Sequence, residues 1–183
     1  MIVQELFPIL EEQVSVGFTG KVNVLDPASK MLLGSVEMSE GEVWSSFYKR
    51  RKGLKAFYNL CIDSFREGTE FYYVVEPEIL NSSRTIHYPF TVLRRKTAQV
   101  VEEFKNNQDL RPPGHLKLLI NPEFIKSGKE VEGDEFDLLC CISDYNKVDD
   151  IYKNCDLLDY QITNSLVSLR KKNALTVVKK DNL

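Results

Sequence analysis

Four consecutive cationic side chains, Lys49-Arg50-Arg51-Lys52, follow Tyr48 and precede Gly53. Guanidinium and ammonium groups bind phosphates and carboxylates, and arginine also stacks on bases and aromatic rings. The run therefore allows three interpretations: a nucleic-acid patch, a phosphate cradle or a solvated turn. Because cations at the start of a helix are unfavourable unless they meet an anion, its place before a helix favours either solvent or an acidic partner.

The sequence carries no motif of an assembled catalytic or metal site. It lacks GxGxxG, a Walker-type glycine loop, HExxH and GxSxG, and its two histidines, His87 and His115, are far apart. Four cysteines lie within apolar patterns and have no CxxC spacing: Cys61, Cys140, Cys141 and Cys155. We therefore expect a protein that is not an enzyme, has no catalytic residues, cofactor or metal, and keeps its thiols reduced and buried.

The charge balance gives no long-range attraction to polyanions. Lysine and arginine number 24 against 27 aspartates and glutamates, so the net charge is −3 and any basic patch is local. No apolar run approaches the roughly 20 residues of a membrane helix, and the first residues lack the pattern of a signal peptide. The sequence thus predicts a cytoplasmic protein without membrane insertion.

The elements that must position these residues follow from periodicity. Residues 4–13 predict a short helix, and Phe18, Val22 and Val24 alternate with polar residues as in a strand with one wet face. A β-hairpin follows, with its turn at Ser39-Glu40-Gly41, where glycine easily takes a positive φ.

A helix is predicted after the cationic run. Apolar residues recur at three- and four-residue spacing from Leu54 to Phe65, and Glu67-Gly68 ends the pattern. Residues 69–80 predict a strand closed by Pro77, and Phe90–Asn107 predicts a further helix. Together these elements predict an α+β domain: a small antiparallel sheet with packed helices.

The clearest boundary in the chain is Pro112-Pro113-Gly114, which cannot continue a helix. We therefore predict an α+β domain with a trailing helix over residues 1–108, a linker over 109–115 and a second domain over 116–183.

The second domain is predicted to contain three helices between two short strands. The helices fall within 132–146, 147–157 and 158–175, and the strands within 115–125 and 176–180. In the first helix, Phe136, Leu139, Cys140 and either Ile142 or Ser143 are expected to face the core. In the third, Ile162, Leu166, Leu169 and Leu175 form an apolar stripe and Asp159 is the expected N-cap. This order of elements predicts a winged-helix or helix-turn-helix-like domain.

Residues from about 15 to 80 resemble the PATAN-type domain, a bacterial domain named for the N-terminal region of a cyanobacterial phototaxis regulator. The resemblance rests on a strand that starts at Gly20 and on the turn Glu40-Gly41. It also rests on Gly53-Leu54-Lys55-Ala56 in the helix and on the strand entry Gly68-Thr69-Glu70-Phe71. The chain departs from the family pattern at Phe47-Tyr48, where a small residue is usual.

This resemblance implies an interaction module of bacterial signalling and motility without catalysis. The implied partner is a response-regulator receiver domain of a two-component system, a small GTPase or a polarity factor. On this interpretation Tyr48, Lys49, Arg50, Arg51 and Lys52 form a docking patch for an acidic protein surface. The sequence also leaves a homo-oligomer open.

Two alternatives remain at this point. In one, the chain is a transcription regulator whose C-terminal domain binds DNA through five residues: Gln161, Asn164, Arg170, Lys171 and Lys172. Four aspartates around that surface would repel phosphate: Asp149, Asp150, Asp156 and Asp159. In the other, Arg50 and Arg51 bind a cyclic dinucleotide, although the RxxxR-type motif of such sensors is absent.

Overall fold

The computed structural model describes residues 5–66 and 70–178. Its contacts divide the chain into an N-terminal unit, Met1–Glu102, and a C-terminal unit, Glu103–Leu183. The division falls within a helix, α3 (Phe90–Asn107), which has the predicted bounds. The domain boundaries predicted around residues 109–115 stay a prediction.

The N-terminal unit is α+β, as expected. In chain order it contains α1 (Leu6–Ser15), β1 (Gly20–Leu25), β2 (Leu32–Ser39), β3 (Glu42–Tyr48), β4 (Arg51–Lys52), α2 (Gly53–Ser64), β5 (Tyr72–Pro77) and most of α3. The five strands form one antiparallel sheet in the order β4-β3-β2-β1-β5. The predicted antiparallel sheet with helices is therefore confirmed.

The alternation predicted for β1 sets the two faces of the sheet. Val22 and Val24 are fully buried, and Val22 pairs with Val36 of β2 on the same face. Lys21, the residue before Val22, points the other way and forms an ion pair of 2.9 Å with Glu78. A period of two thus places every second side chain of the strand in the core.

The turn between β2 and β3 is the predicted hairpin. Ser39 pairs with Glu42, and the two residues between them both have positive φ, 51° at Glu40 and 77° at Gly41. Such a two-residue turn matches the twist of the flanking strands. The backbone N–H of Glu40 also donates to Thr19 Oγ1 at 2.9 Å.

Helix α2 packs its apolar stripe on β3. Its buried residues include Phe57, whose ring meets Phe7 of α1 edge-on at a centroid distance of 6.2 Å. Phe65 was expected to face inward but is half exposed, because α2 ends at Ser64 and Phe65 caps it. The predicted end at Glu67-Gly68 lies outside the described residues.

The C-terminal unit is mostly helical. After α3 it contains a 3-10 turn (Gln108–Leu110), β6 (Lys117–Ile120), α4 (Pro122–Lys126), α5 (Gly133–Asp144), α6 (Val148–Asn154), α7 (Asp159–Lys171) and β7 (Leu175–Val178). Strands β6 and β7 pair antiparallel. The core includes Leu138, Ile142, Ile151, Ile162 and Leu169. The three predicted helices and two strands are present, and their winged-helix identity stays a prediction. Leu175, predicted on the apolar stripe of the third helix, is instead the first residue of β7, because α7 ends at Lys171.

Helix α5 confirms the predicted inward positions of Leu139 and Ile142 and corrects the others. Phe136 is 59% exposed, and Cys140 and Ser143 are also exposed, whereas Leu138 and Leu139 are buried with Ile142. The reason is Glu135, a charged residue only 2% exposed, which starts the buried stripe one residue before Phe136. The expectation that all four thiols are buried therefore fails at Cys140 and holds only in part at Cys141, which is half-buried.

Two helix starts also differ from expectation. The N-cap of α7 is Leu158, so Asp159 is the first helical residue and not the cap. The short helix α4 was not predicted, although its start is a clear one: Pro122 follows Asn121, whose side chain accepts the N–H of Glu123 at 3.1 Å.

Candidate functional site

The cationic run forms a second tight β-hairpin, hereafter the cationic hairpin (residues 48–52). Tyr48 pairs with Arg51, so Lys49 and Arg50 are the two central residues of the turn. Their φ angles are 48° and 65°, in the left-handed region that glycine and asparagine occupy most easily. Two adjacent long cationic side chains in this conformation strain the backbone.

A buried carboxylate, Asp63 of α2, holds the cationic hairpin in place. Asp63 is 6% exposed, and its Oδ2 lies 2.5 Å from Lys49 Nζ. The same oxygen accepts the hydroxyl of Tyr48 at 3.0 Å, while Oδ1 lies 3.3 Å from Arg66 Nε. These contacts tie the turn to α2 and offset the strain of its backbone.

Tyr48, the first residue of the cationic hairpin, packs into the core. It is 3% exposed, and its ring meets Phe71 edge-on at 6.1 Å. Burial raises the pKa of Tyr48 well above its usual value of 10, and the neighbouring charge of Asp63 raises it further. The phenol therefore stays protonated and keeps donating to Asp63, and its ring offers little surface to a partner.

The cations of the run differ in whether they are free to meet a partner. Arg50 and Lys52 are exposed, Arg51 is half-buried, and neither Arg50 nor Lys52 has an ion-pair partner in the part of the chain described. The Lys49 side chain is 60% exposed as well, but its ammonium is bound to Asp63. The geometry thus narrows the docking patch predicted from the sequence to the exposed cations that are not held by a carboxylate of the protein, Arg50 and Lys52.

The residues predicted to contact DNA lie on α7 and just after it. Gln161 is engaged on both sides: its Oε1 accepts the N–H of Leu158 at 2.9 Å and its Nε2 donates to Asp134 at 3.0 Å. Asn164, Arg170 and Lys171 are exposed.

Lys172 is held by the buried Glu135. Its Nζ lies 2.7 Å from Glu135 Oε2, and the Ser168 hydroxyl donates to Oε1 at 2.6 Å. Burial raises the pKa of Glu135, but hydrogen bonds from Lys172, Ser168 and the Glu132 N–H outweigh it, so the net pKa lies below the usual 4.5. This carboxylate is therefore charged at neutral pH, and it holds the Lys172 ammonium in an internal ion pair.

A groove of about 310 Å³, hereafter the acidic groove, lies beside the N-terminal part of α7. Four carboxylates line it: Glu103, Glu132, Asp134 and Glu135. Gln161 and Asn164, the two side chains proposed to read bases, line the same groove. Since DNA phosphates are anionic, the charges of this face oppose DNA binding there.

The partners of Asp63 and Glu135, the two carboxylates that organise these sites, were not predicted from the sequence. Asp63 falls on the apolar stripe of α2 with Ala56 and Leu60, and Glu135 falls on that of α5 with Leu138 and Ile142. A carboxylate in a buried position requires a charged or hydrogen-bonding partner. The spacing of each carboxylate from the apolar residues of its helix therefore indicates that it is buried and paired, although the spacing does not identify the partner.

Comparisons of the chain with protein-family models, with curated proteins and with solved structures find no match to any of them. The PATAN-type and winged-helix resemblances therefore remain expectations from the sequence. Among the described residues, no helix is long and apolar enough to cross a membrane. In the same part of the chain, no group of three or more His, Cys, Asp or Glu side chains could hold a metal ion.

Proposed function

We propose that this chain is a non-enzymatic adaptor that binds an acidic surface of a partner protein through the cationic hairpin. The observation that carries the proposal is the turn itself: Lys49 and Arg50 both hold positive φ angles, and Asp63 fixes the first of them. A strained turn of this kind persists only where the surrounding structure over-determines it, and such strain concentrates at functional sites.

The two turn residues have separate roles in this proposal. Lys49 folds back onto Asp63 and anchors the turn, which leaves Arg50 at the tip with its guanidinium in solvent. Arginine is over-represented in protein interfaces because its planar fork binds carboxylates in a bidentate manner. Lys52, exposed on the neighbouring strand β4, adds a second charge that steers an acidic partner towards the site.

The sequence resemblance supplies the class of partner. The cationic hairpin lies inside the segment that resembles the PATAN-type domain, which implies a role in bacterial signalling or motility. We propose a receiver domain, a small GTPase or a polarity factor as the partner, with the adaptor acting in the cytoplasm. The C-terminal unit, proposed as winged-helix-like, would then serve as a second protein-binding module.

The proposal is tested by charge reversal at the cationic hairpin. The wild-type chain and Arg50→Glu/Lys52→Glu are immobilised, partners are captured from a bacterial lysate, and each captured protein is purified and its Kd for both chains is measured. We expect a partner with an acidic surface whose affinity falls at least about tenfold in the variant, since two attractive charges become repulsive.

The matched control reverses two other exposed cations, as Arg95→Glu/Lys129→Glu. Neither has an ion-pair partner among the described residues, so the control changes net charge equally and should leave both binding and melting temperature unchanged. Equal affinities of the wild type and the hairpin variant for every captured partner would contradict the proposal. The same variants, melted with and without a cyclic dinucleotide, test the nucleotide-sensor alternative, which requires stabilisation of the wild type.

A further inference from the structure

One face of the five-stranded sheet is polar at one end and apolar at the other. It is the face on which Lys21 lies, opposite to the buried face of Val22 and Val24. At the polar end the register aligns four residues across the strands: Ser45, Glu37, Lys21 and Glu76. The two rows beyond it contain five apolar side chains, hereafter the apolar face: Leu25, Leu32, Phe47, Tyr72 and Val74.

The polar end makes its contacts within the protein, whereas the apolar face meets solvent. Lys21 pairs with Glu78 at 2.9 Å, and the Ser82 hydroxyl donates to Glu37 at 2.6 Å. Three members of the apolar face are 60%, 41% and 43% exposed: Leu32, Phe47 and Tyr72. The solvated face of an antiparallel sheet is normally polar, so an exposed apolar patch on it, bordered by polar residues, indicates a surface that another molecule covers.

Cations lie at two opposite borders of the apolar face. Lys52 of β4 is the cross-strand partner of Phe47, which places the two side chains on the same face at the β4 edge. At the β5 edge, the Lys30 ammonium lies 4.2 Å from the centroid of the Tyr72 ring. Both lysines are exposed, and neither forms an ion pair in the part of the chain described. An apolar surface with cationic borders is complementary to a segment that carries apolar residues between acidic ones.

The distance between these borders fits a helix that lies across the strands. From β4 to β5 there are four strand spacings of about 4.8 Å, or about 19 Å in total. A helix rises about 1.5 Å per residue, so about 13 helical residues cover this distance. A strand added at the sheet edge would instead run alongside β5 and leave Phe47 uncovered. A second copy of this chain is also a poorer occupant, because a two-fold axis would set cationic borders against each other.

We propose that the apolar face binds an amphipathic helix of the partner, with its apolar stripe on Phe47 and Tyr72 and its acidic ends on Lys52 and Lys30. This inference rests on the proposed function, since Arg50 and Lys52 belong to the same surface, and it specifies the element that the adaptor recognises. Aromatic side chains are enriched at the centre of interfaces and charges at the rim, which is the arrangement here.

An anionic membrane is the other surface with apolar and negatively charged groups. The polar end of the same face carries Glu37 and Glu76, whose carboxylates would lie against anionic lipid headgroups and repel them. A helix about 13 residues long can end before it reaches that row, whereas a membrane surface cannot. The charges therefore favour the helix.

Fluorescence anisotropy tests the proposal with a synthetic peptide of about 18 residues that has a helical leucine stripe and glutamates at both ends. We expect saturable binding to the full chain, and binding at least about tenfold weaker for a scrambled peptide of the same composition. Phe47→Thr/Tyr72→Thr should weaken the binding of the striped peptide at least about tenfold, and threonine keeps the strand propensity. The control, Phe136→Thr/Tyr145→Thr, removes the same two types of exposed side chain from the C-terminal unit and should bind as the wild type does.

Four results would overturn the helix site: no saturable binding of the striped peptide, equal binding of the scrambled peptide, binding to phosphatidylglycerol vesicles in place of the peptide, or a dimer in sedimentation that Phe47→Thr/Tyr72→Thr dissociates. Melting curves show whether each variant folds. Should the double variant unfold, Phe47→Thr alone carries the test, with a several-fold loss expected, since that side chain is exposed.

The helix site and the docking proposal fail in different ways. Weaker peptide binding in Arg50→Glu/Lys52→Glu, with none in Phe47→Thr/Tyr72→Thr, would overturn the helix site and leave docking by charge in place. A peptide affinity that charge reversal leaves unchanged would contradict the docking proposal itself.

Discussion

Two buried carboxylates determine which cations of this protein are available to a partner. Asp63 binds the ammonium of Lys49, and Glu135 binds that of Lys172. Both lysines are prominent members of cationic runs in the sequence, yet the ammonium of each is bound by a carboxylate of the protein. The cations left for recognition are their exposed sequence neighbours, among them Arg50 at the tip of a strained turn.

The backbone strain at Arg50 predicts a trade-off between stability and binding. Arg50→Gly should raise the free energy of unfolding by about 1 kcal/mol, because glycine adopts the φ of 65° without the cost that a side chain incurs. The same change removes the exposed guanidinium and should weaken partner binding, by less than the double charge reversal does. Urea unfolding and the binding assay on one preparation measure both effects.

Arg50→Lys is the matched control for this trade-off. It keeps the charge and the strained backbone, so its stability should equal that of the wild type. Its binding should fall only in part, since lysine lacks the bidentate fork of arginine. A glycine variant that is less stable than the wild type would contradict the assignment of strain to this turn.

Sequence reasoning identified both runs of cations but not which of them form internal ion pairs. Periodicity places Asp63 and Glu135 on buried stripes, while the partners of these carboxylates are 14 and 37 residues away along the chain. Only the tertiary fold brings residues so far apart in the sequence into contact. The left-handed turn at Lys49 and Arg50 was also beyond prediction, because it lacks the Asn-Gly or Asp-Gly pair that signals a tight hairpin.

At the scale of the elements, prediction succeeded where periodicity is long and failed where a charge interrupts it. The α3 bounds, the hairpin of β2 and β3 and the wet face of β1 all follow from local pattern. Helix α4 was missed because five residues are too few to show a helical period. In α5, hydrophobicity alone predicted that Phe136 is buried and Glu135 exposed. The structure has the opposite arrangement, with Glu135 buried and paired with Lys172.

The contact between α5 and the end of α7 predicts a pH-dependent stability. Because the pKa of Glu135 is lowered in the folded state, its contribution is fully present above the unfolded pKa near 4.5 and is lost as pH falls through the folded pKa. Glu135→Gln should therefore destabilise the protein by about 2 kcal/mol at pH 7, less than a fully buried pair because Lys172 is partly exposed. The difference should shrink as the pH is lowered.

Thermal or urea unfolding from pH 7 down to about pH 3 measures this difference, since that range spans the titration of a glutamate. Glu123→Gln is the matched control, because Glu123 pairs with Lys126 on the exposed surface of α4. That variant should follow the wild-type curve at every pH. A stability gap between Glu135→Gln and the wild type that stays constant with pH would show that the side chain acts by shape and not by charge.

At the scale of the whole molecule, the N-terminal and C-terminal units divide within α3, between Glu102 and Glu103. The sequence drew attention to Pro112-Pro113-Gly114, where the helical pattern stops. The residues just before and within this segment contact the C-terminal unit: Arg111 pairs with Asp159 at 3.7 Å, and the N–H of Asp149 donates to the Gly114 carbonyl. The point where a helical pattern stops marks the end of a helix. The long-range contacts of the segment that follows decide to which unit that segment belongs.

The distribution of charge over the molecule predicts that the full chain does not bind DNA. The net charge is −3, the first half of α7 faces the acidic groove, and Lys172 is bound to Glu135. Since DNA affinity depends mainly on cations that neutralise phosphates, a gel shift with mixed-sequence duplex at about 50 mM salt should show no complex at micromolar protein. The informative comparison is Arg170→Ala/Lys171→Ala, which removes the exposed cations at the end of α7. A complex that weakens steeply with salt and disappears in this variant would establish DNA binding by the C-terminal unit against this expectation.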